Sequence, residues 1–304
     1  MNYNCFVKDI TQRVREQVSD EYTVEVNPAR KNNGVMLDSM IIRRPDDVVC
    51  PNIYLNHIYQ RYQEGLTMEE AVDSILSAYR RSAPALEIDP DSLISPEIIR
   101  RQVVYRLVNY GRNAALFGDI PHKQVLDLAL IYYVMVHHEN LGNGAIMIRN
   151  EFLDQYKMTK EEVDEAAKEN TPKLLPADFL RITDLLREFG EKSGAHSYTE
   201  IALEEESYST PLYVLTNKSR QFGAYYMTDT DILSGISRKM DTDLYLLPSS
   251  VHECMVVPAS MWEETDSLAC MVREINSTQV SDDEYLADTV YRFRRQTNCL
   301  EIAA

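Results

Sequence analysis

Residues 244–257 read LYLLPSSVHECMVV, two apolar runs on either side of a polar turn that opens with proline. Short runs this rich in leucine, valine and tyrosine, bounded by turn residues, are buried strands. The reading is therefore a strand at Asp243–Leu247, a turn at Pro248-Ser249-Ser250-Val251-His252-Glu253, and a returning strand at Cys254–Val257. Downstream, Ser260-x-x-Glu263 has capping-box spacing and predicts a helix with Leu268, Met271, Val272 and Ile275 inward. Ser281-x-x-Glu284 predicts a short helix before a strand at Thr289–Phe293. Upstream, strands are expected at Leu212–Thr216 and Gly223–Met227, followed by a helix over Asp229–Met240. Strands and helices thus alternate irregularly, which predicts an α+β fold.

The order recurs earlier in the chain. The apolar run Leu128–Val136 is a core strand, a second strand covers Ala145–Ile148, and Thr159-x-x-Glu162 caps a helix that should stop at Asn170-Thr171-Pro172. Gly144-Ala145 and Gly223-Ala224 each open the second strand of such a group, which suggests an internal ββα repeat; two matched dipeptides are also within the reach of chance. Before this region, Ser95-Pro96-Glu97 supplies a cap, a first-turn proline and a first-turn carboxylate. The helix it opens should bury Ile99, Val103 and Leu107 and place Arg101, Gln102, Arg106, Asn109 and Arg112 on its other side.

The first part of the chain has a different character. Phe6, Val7, Ile10, Val14 and Val18 form one helical stripe, and Tyr22–Val26 and Val35–Ile42 form a hairpin turned at Asn33-Gly34. Two helices follow, one over Ile53–Glu64 stopped by Gly65 and one capped by Thr67-x-x-Glu70. Tyr54, Tyr59, Tyr62 and Tyr79 recur at helical spacing and read as the edge of a core. Two prolines without periodicity mark a connector, so the expected division is a helix, hairpin and helix-pair module at 1–82, a connector at 83–92, and a larger mixed α+β domain at 93–304.

With 44% hydrophobic and 26% charged residues, the 304-residue chain has the composition of a globular protein. Its net charge of −17 opposes the approach of a phosphate backbone or an anionic bilayer, so nucleic-acid and membrane binding are not expected, and a basic or neutral protein partner is. The start lacks the basic and apolar pattern of a signal peptide, and the 5 cysteines are scattered singly; both features point to a reducing, cytoplasmic setting. No glycine-rich phosphate loop occurs, and no cofactor is implied.

Several words of this sequence, in order, carry a resemblance: Lys31-Asn32-Asn33-Gly34, Ile53-Tyr54-Leu55-Asn56, Arg106-x-x-Asn109, Asp127-Leu128, Asn170-Thr171-Pro172, Leu215-Thr216-Asn217, Pro248–Glu253 and Val272-Arg273-Glu274-Ile275-Asn276. Along nearly its whole length the chain resembles an uncharacterised bacterial family, one of the domain-of-unknown-function families common in gut-dwelling anaerobes. A second uncharacterised bacterial family is similar more remotely, through the N-terminal helix and hairpin and the strand-rich C-terminal half. Neither resemblance implies an activity or a catalytic residue.

Candidate chemistry centres on the turn. Ser250 could act as a nucleophile with His252 as its base and Glu253 nearby, although an extended segment would turn Glu253 to the other face and no Gly-x-Ser-x-Gly elbow is present. The plainer reading is a structural corner in which the serine hydroxyls bond the backbone and His252 bridges two segments. His138, in His137-His138-Glu139, could join His252 as a metal ligand, against the simpler view that these histidines end a strand at solvent. Arg106 and Asn109 could hold a phosphate or carboxylate, against internal pairing of the arginines with the many acids. Two functions remain after this reading: a non-catalytic binding or regulatory protein, and a hydrolase-type enzyme centred on Ser250 and His252.

Overall fold

The computed structural model describes residues 1–45, 50–82, 93–138, 142–193, 212–262 and 264–304. The chain is an α+β protein of helices and antiparallel sheets, and it divides into two compact units, residues 1–95 with 135–145 and residues 96–134 with 146–304.

In the first unit, helix α1 (Tyr3–Gln17) precedes strands β1 (Thr23–Arg30), β2 (Met36–Arg43) and β3 (Ile53–Tyr54), then helices α2 (Leu55–Gln63) and α3 (Met68–Ser82). The Asn2 side chain caps α1 by accepting the Cys5 N–H. Asn33 and Gly34 take the positive φ that the hairpin turn requires. Pro28 is tolerated inside β1 because that strand is the edge of the β1-β2-β3 sheet. Thr67 and Glu70 close the expected capping box, the Thr67 N–H donating to the carboxylate and the Glu70 N–H to the hydroxyl. Phe6, Ile10, Met40, Leu55 and Ile75 meet in one dry core, with Tyr59 and Tyr62 packed on Phe6 at its edge.

The second unit opens with α4 (Pro96–Gln102) and β4 (Val103–Asn109), followed by β5 (His122–Val125), β6 (Leu128–His138) as far as Val134, and β7 (Gly142–Met147) from Ile146. Helices α5 (Asn150–Tyr156) and α6 (Lys160–Leu174) come next, then β8 (Ala177–Arg181), α7 (Ile182–Ser193) and β9 (Tyr213–Asn217). A 3-10 segment at Gly223–Thr228 leads to α8 (Thr230–Met240), β10 (Leu244–Pro248), β11 (Cys254–Pro258), α9 (Thr265–Gln279), β12 (Tyr291–Arg294) and β13 (Cys299–Ile302). One sheet has β4-β6-β5 in line with β7 on β6; the other runs β13-β12-β10-β11-β9-β8. Helix α9 lays Leu268 and Val272 against Tyr245, Leu247 and Val257.

Several elements differ from expectation. The helix opened by Pro96 ends at Gln102, and Val103–Asn109 is a strand that pairs along β6. Ile99, Val103 and Leu107 do share a helical stripe, but the run Val103-Val104-Tyr105 and Val108 is β-branched and aromatic and packs better extended. Gly223–Met227 is 3-10, not strand, so the second group lacks the second strand that a ββα repeat needs. Helix α6 continues through Pro172 to Leu174 instead of stopping at Asn170, with the Thr171 hydroxyl donating to the Ala167 carbonyl. Ser260 lies in a 3-10 turn and α9 begins at Thr265. Ser281–Glu284 is a single turn closed by the Glu284 N–H on the Ser281 carbonyl. Among the described residues, no helix is long and apolar enough to cross a membrane.

Candidate functional site

The β10–β11 hairpin closes on the pair Pro248↔Cys254, and its loop folds onto itself and its neighbours. The His252 N–H donates to Ser250 Oγ at 3.0 Å, and the Ser250 N–H to the Glu253 carbonyl at 3.2 Å. The Val251 N–H reaches the Glu284 carbonyl at 2.9 Å, and the Thr216 hydroxyl donates to the His252 carbonyl at 2.8 Å. Val251 is fully buried and Ser250 is 7% exposed. The loop is therefore a buried corner whose backbone groups are met by protein partners, as burial demands.

The segment after β9 is drawn tight against it. Asn217 Oδ1 accepts the Ser219 hydroxyl and the Ser219 and Gln221 N–H groups, which coils residues 217–222 and places Arg220 and Phe222 at positive φ. Gly223 then passes so close that a Cβ would lie 2.4 Å from Thr216 Oγ1 and 2.5 Å from the His252 carbonyl oxygen. Only glycine fits there.

This approach sets the chemistry of His252. The Phe222 N–H donates to its Nδ1 at 3.3 Å, which leaves the ring proton of the neutral form on Nε2, 3.5 Å from Glu284 Oε1. Burial holds the imidazole below its usual pKa; Glu284 pulls the other way, and Arg106 adds to the depression. The Phe222 ring stacks beside the imidazole at 6.3 Å. The Arg106 guanidinium sits 4.9 Å from the Phe222 ring centre and 5.5 Å from that of Tyr133, and Nη1 donates to the Tyr133 hydroxyl at 3.4 Å. Arg106 pairs with Ile131 across β4–β6, so Tyr133, two residues on, is its diagonal neighbour on the same face. Arg106 Nε is buried without a hydrogen-bond acceptor.

On the other flank, Arg220 Nη2 pairs with Asp178 at 3.1 Å and faces Glu188 at 3.8 Å, while its Nη1 is buried without an acceptor. The Glu253 carboxyl is raised above its usual pKa. Burial is the main cause; Arg220 and the Ser250 hydroxyl oppose it and Glu284 reinforces it.

Ser250 and His252 are thus neighbours whose side chains do not pair with each other: the hydroxyl serves the His252 backbone and the Glu253 carboxyl, and the imidazole serves Phe222 and Glu284. Arg106 stands within electrostatic reach of His252, a meeting that a helical reading of residues 103–112 hides. Asn109 is a joint, its Nδ2 donating to the Leu286 carbonyl and its Oδ1 accepting the Arg112 N–H. The arginine stripe disperses: Arg101 pairs with Glu97 on α4, and Arg112 lies over the Tyr285 ring and beside Asp282. The His138 side chain and Glu139 lie outside the described residues. Among the described residues no three His, Cys, Asp or Glu side chains group as metal ligands do. Cys254 is fully buried, which pushes its thiol far above the reactive range. Tyr133 and Phe222 were not singled out by the sequence; Glu284 entered only as the acid of the Ser281-x-x-Glu284 pattern, and the Gly223-Ala224 dipeptide marked the neighbourhood of Phe222.

A cleft of 640 Å³ opens elsewhere, lined by Asp241, Asp243, Ser260, Arg292 and Arg295 among others, none of them part of the corner. Asp243 accepts both Arg292 Nε and Nη2 on one oxygen and the Arg295 N–H on the other, and Asp241 pairs with the Arg295 side chain. Its acids and arginines pair with one another.

Fold and site together define an α+β protein whose second unit holds a guanidinium, an imidazole and two aromatic rings against a buried hairpin corner. The model of DUF5688, a family of unknown function, matches residues 3–295, and the chain belongs to that family. Comparison with curated proteins and with solved structures gives no match.

Proposed function

We propose that this chain is a non-catalytic binding or regulatory protein of the bacterial cytoplasm, with the His252 corner as its binding face. The observation that carries this reading is the use made of Ser250 and His252. A nucleophile needs a base on its hydroxyl and an exposed position, and here the hydroxyl accepts a backbone N–H while the imidazole acceptor nitrogen is taken by the Phe222 N–H. Five cysteines without a disulfide among them support a reducing compartment, and the resemblance to bacterial families supports the source. A net charge of −17 favours a basic or neutral partner over nucleic acid.

The hydrolase reading retains one supporting observation. Glu253 is a carboxyl whose pKa burial raises, next to a serine hydroxyl, and such groups recur at catalytic sites. A screen of the full chain against chromogenic esters of short and long acids separates the two. Turnover that Ser250→Ala abolishes, with cooperative melting retained, overturns the binding reading; no turnover above the Ser250→Ala background is the expected result.

A further inference from the structure

Taking the binding reading as its base, we propose that Arg106, with Tyr133, Phe222 and His252 around it, receives the carboxylate of a small organic monoacid. The site holds a donor that lacks an acceptor. Arg106 Nε is buried and unbonded, and the one acceptor given to this guanidinium among the described residues is the Tyr133 hydroxyl, at the long distance of 3.4 Å. A guanidinium nitrogen taken from water without a replacement acceptor is costly, and aromatic faces compensate only part of it. The arginines on either side are treated differently: Arg112 has Asp282 and Arg220 has Asp178. Among the described residues no carboxylate pairs with Arg106. The Tyr133 hydroxyl accepts from Arg106, so its own hydrogen is a second donor beside the guanidinium.

A carboxylate fits these donors because its two oxygens match a planar guanidinium. The surroundings select its charge. Glu284 stands 3.5 Å from the His252 ring, and Asp283 lies close enough to act on the same imidazole. Asp282 belongs to the same turn, which Asn109 and Val251 tie down through the carbonyls of Leu286 and Glu284. His252, neutral with its proton on Nε2, adds no positive charge to offset them. A phosphate dianion would meet these acids in a chain of net charge −17, whereas a monoanion meets half the repulsion. The Phe222 and Tyr133 rings supply apolar walls at 4.9 and 5.5 Å from the guanidinium, which favours an acid with a flat or hydrocarbon body.

The test is a calorimetric titration of the full chain at pH 7.5 and constant ionic strength with sodium benzoate, sodium acetate, inorganic phosphate and uncharged benzamide. Saturable one-to-one binding of benzoate is expected, on the order of 1 mM. It should weaken at least about tenfold in Arg106→Gln, less in Arg106→Lys, which keeps the charge and loses the fork, and about threefold in Tyr133→Phe. Acetate should bind more weakly than benzoate, and benzamide not measurably. Absence of saturable benzoate binding, equal affinity in Arg106→Gln, equal binding of benzamide, or tighter binding of phosphate would each overturn the proposal. Should Arg106→Gln fail to fold, unchanged affinity in both Arg106→Lys and Tyr133→Phe overturns it just as directly. The two proposals fail separately. Ser250-dependent ester turnover removes the binding reading whatever benzoate does, and a flat benzoate titration without turnover removes only the ligand class.

Discussion

Asp164 and Glu253 are carboxyls of the same unit, and the fold treats them in opposite ways. Asp164 accepts the Tyr105 and Tyr132 hydroxyls at 2.7 and 3.0 Å on one oxygen and Lys123 Nζ at 2.9 Å on the other. Burial pushes its pKa up, but those three donors outweigh the burial and hold it below the usual carboxylate value. Glu253 has the Ser250 hydroxyl and the field of Arg220, and burial wins. The first carboxylate is part of the scaffold, tying β4 and β6 to α6. The second is kept undersupplied in the field of Arg220, which itself buries a nitrogen without an acceptor. Buried polar groups left short of partners mark where a fold retains chemistry for another purpose, which is the reason for placing the binding face at the corner and not at Asp164.

The sharpest way to break this contrast is to loosen the packing beneath the corner. Gly223→Ala would force a methyl to within 2.5 Å of Thr216 Oγ1 and the His252 carbonyl, at a cost of about 3 kcal/mol or more in urea unfolding. A stability change near zero would mean that the corner yields and is no fixed site. Next in size, Asp164→Ala leaves the buried Tyr132 hydroxyl without its acceptor and the Tyr105 hydroxyl with only the backbone carbonyl of residue 164, and should cost about 2 to 3 kcal/mol. A cost as small as that of a surface substitution would remove Asp164 from the scaffold. His252→Ala strips the acceptor from the Phe222 N–H and should cost about 1 to 2 kcal/mol, read as a drop in melting temperature at pH 7.5.

The smallest effect has the most informative sign. Because Glu253 is raised, the folded state holds its proton above the ordinary 4.5, so the ionised form opposes folding at neutral pH and the opposition fades as pH falls through the folded value. Glu253→Gln should therefore keep or slightly raise the neutral melting temperature, with the gain vanishing in acid. Asp164 runs the other way, stabilising above its ordinary 3.8 and losing that contribution as pH falls through its folded value. For His252, lowered below 6.5, the neutral ring is favoured by folding, so its contribution is whole above pH 6.5 and is lost as pH falls from there toward the folded value. Melting curves of wild type, Glu253→Gln, His252→Gln and Asp164→Asn from pH 8 to 2 check all three signs; a Glu253→Gln variant that loses stability at neutral pH would make Glu253 a second Asp164.

Much of this molecule is legible in short stretches of sequence. The stripe from Phe6 to Val14, the Asn33-Gly34 turn, the Thr67 and Thr159 capping boxes, and the strand pair around Pro248–Glu253 all express interactions within a few residues, where spacing alone determines which face is apolar and which groups can cap. The α+β class follows from their alternation. Residues 103–109 carry both a helical stripe and a β-branched run, and it is pairing with β6 that makes them a strand and turns Arg106 toward Tyr133. Gly223 looks like a strand opener until its contact with Thr216 and His252 is seen. Whether His252 is a base or a brace depends on one N–H from Phe222 and one carboxylate from Glu284, brought from separate segments. Periodicity encodes which face of an element is buried; which donor meets which acceptor inside depends on sheet register and close packing between segments far apart in the chain, and only the tertiary structure decides that.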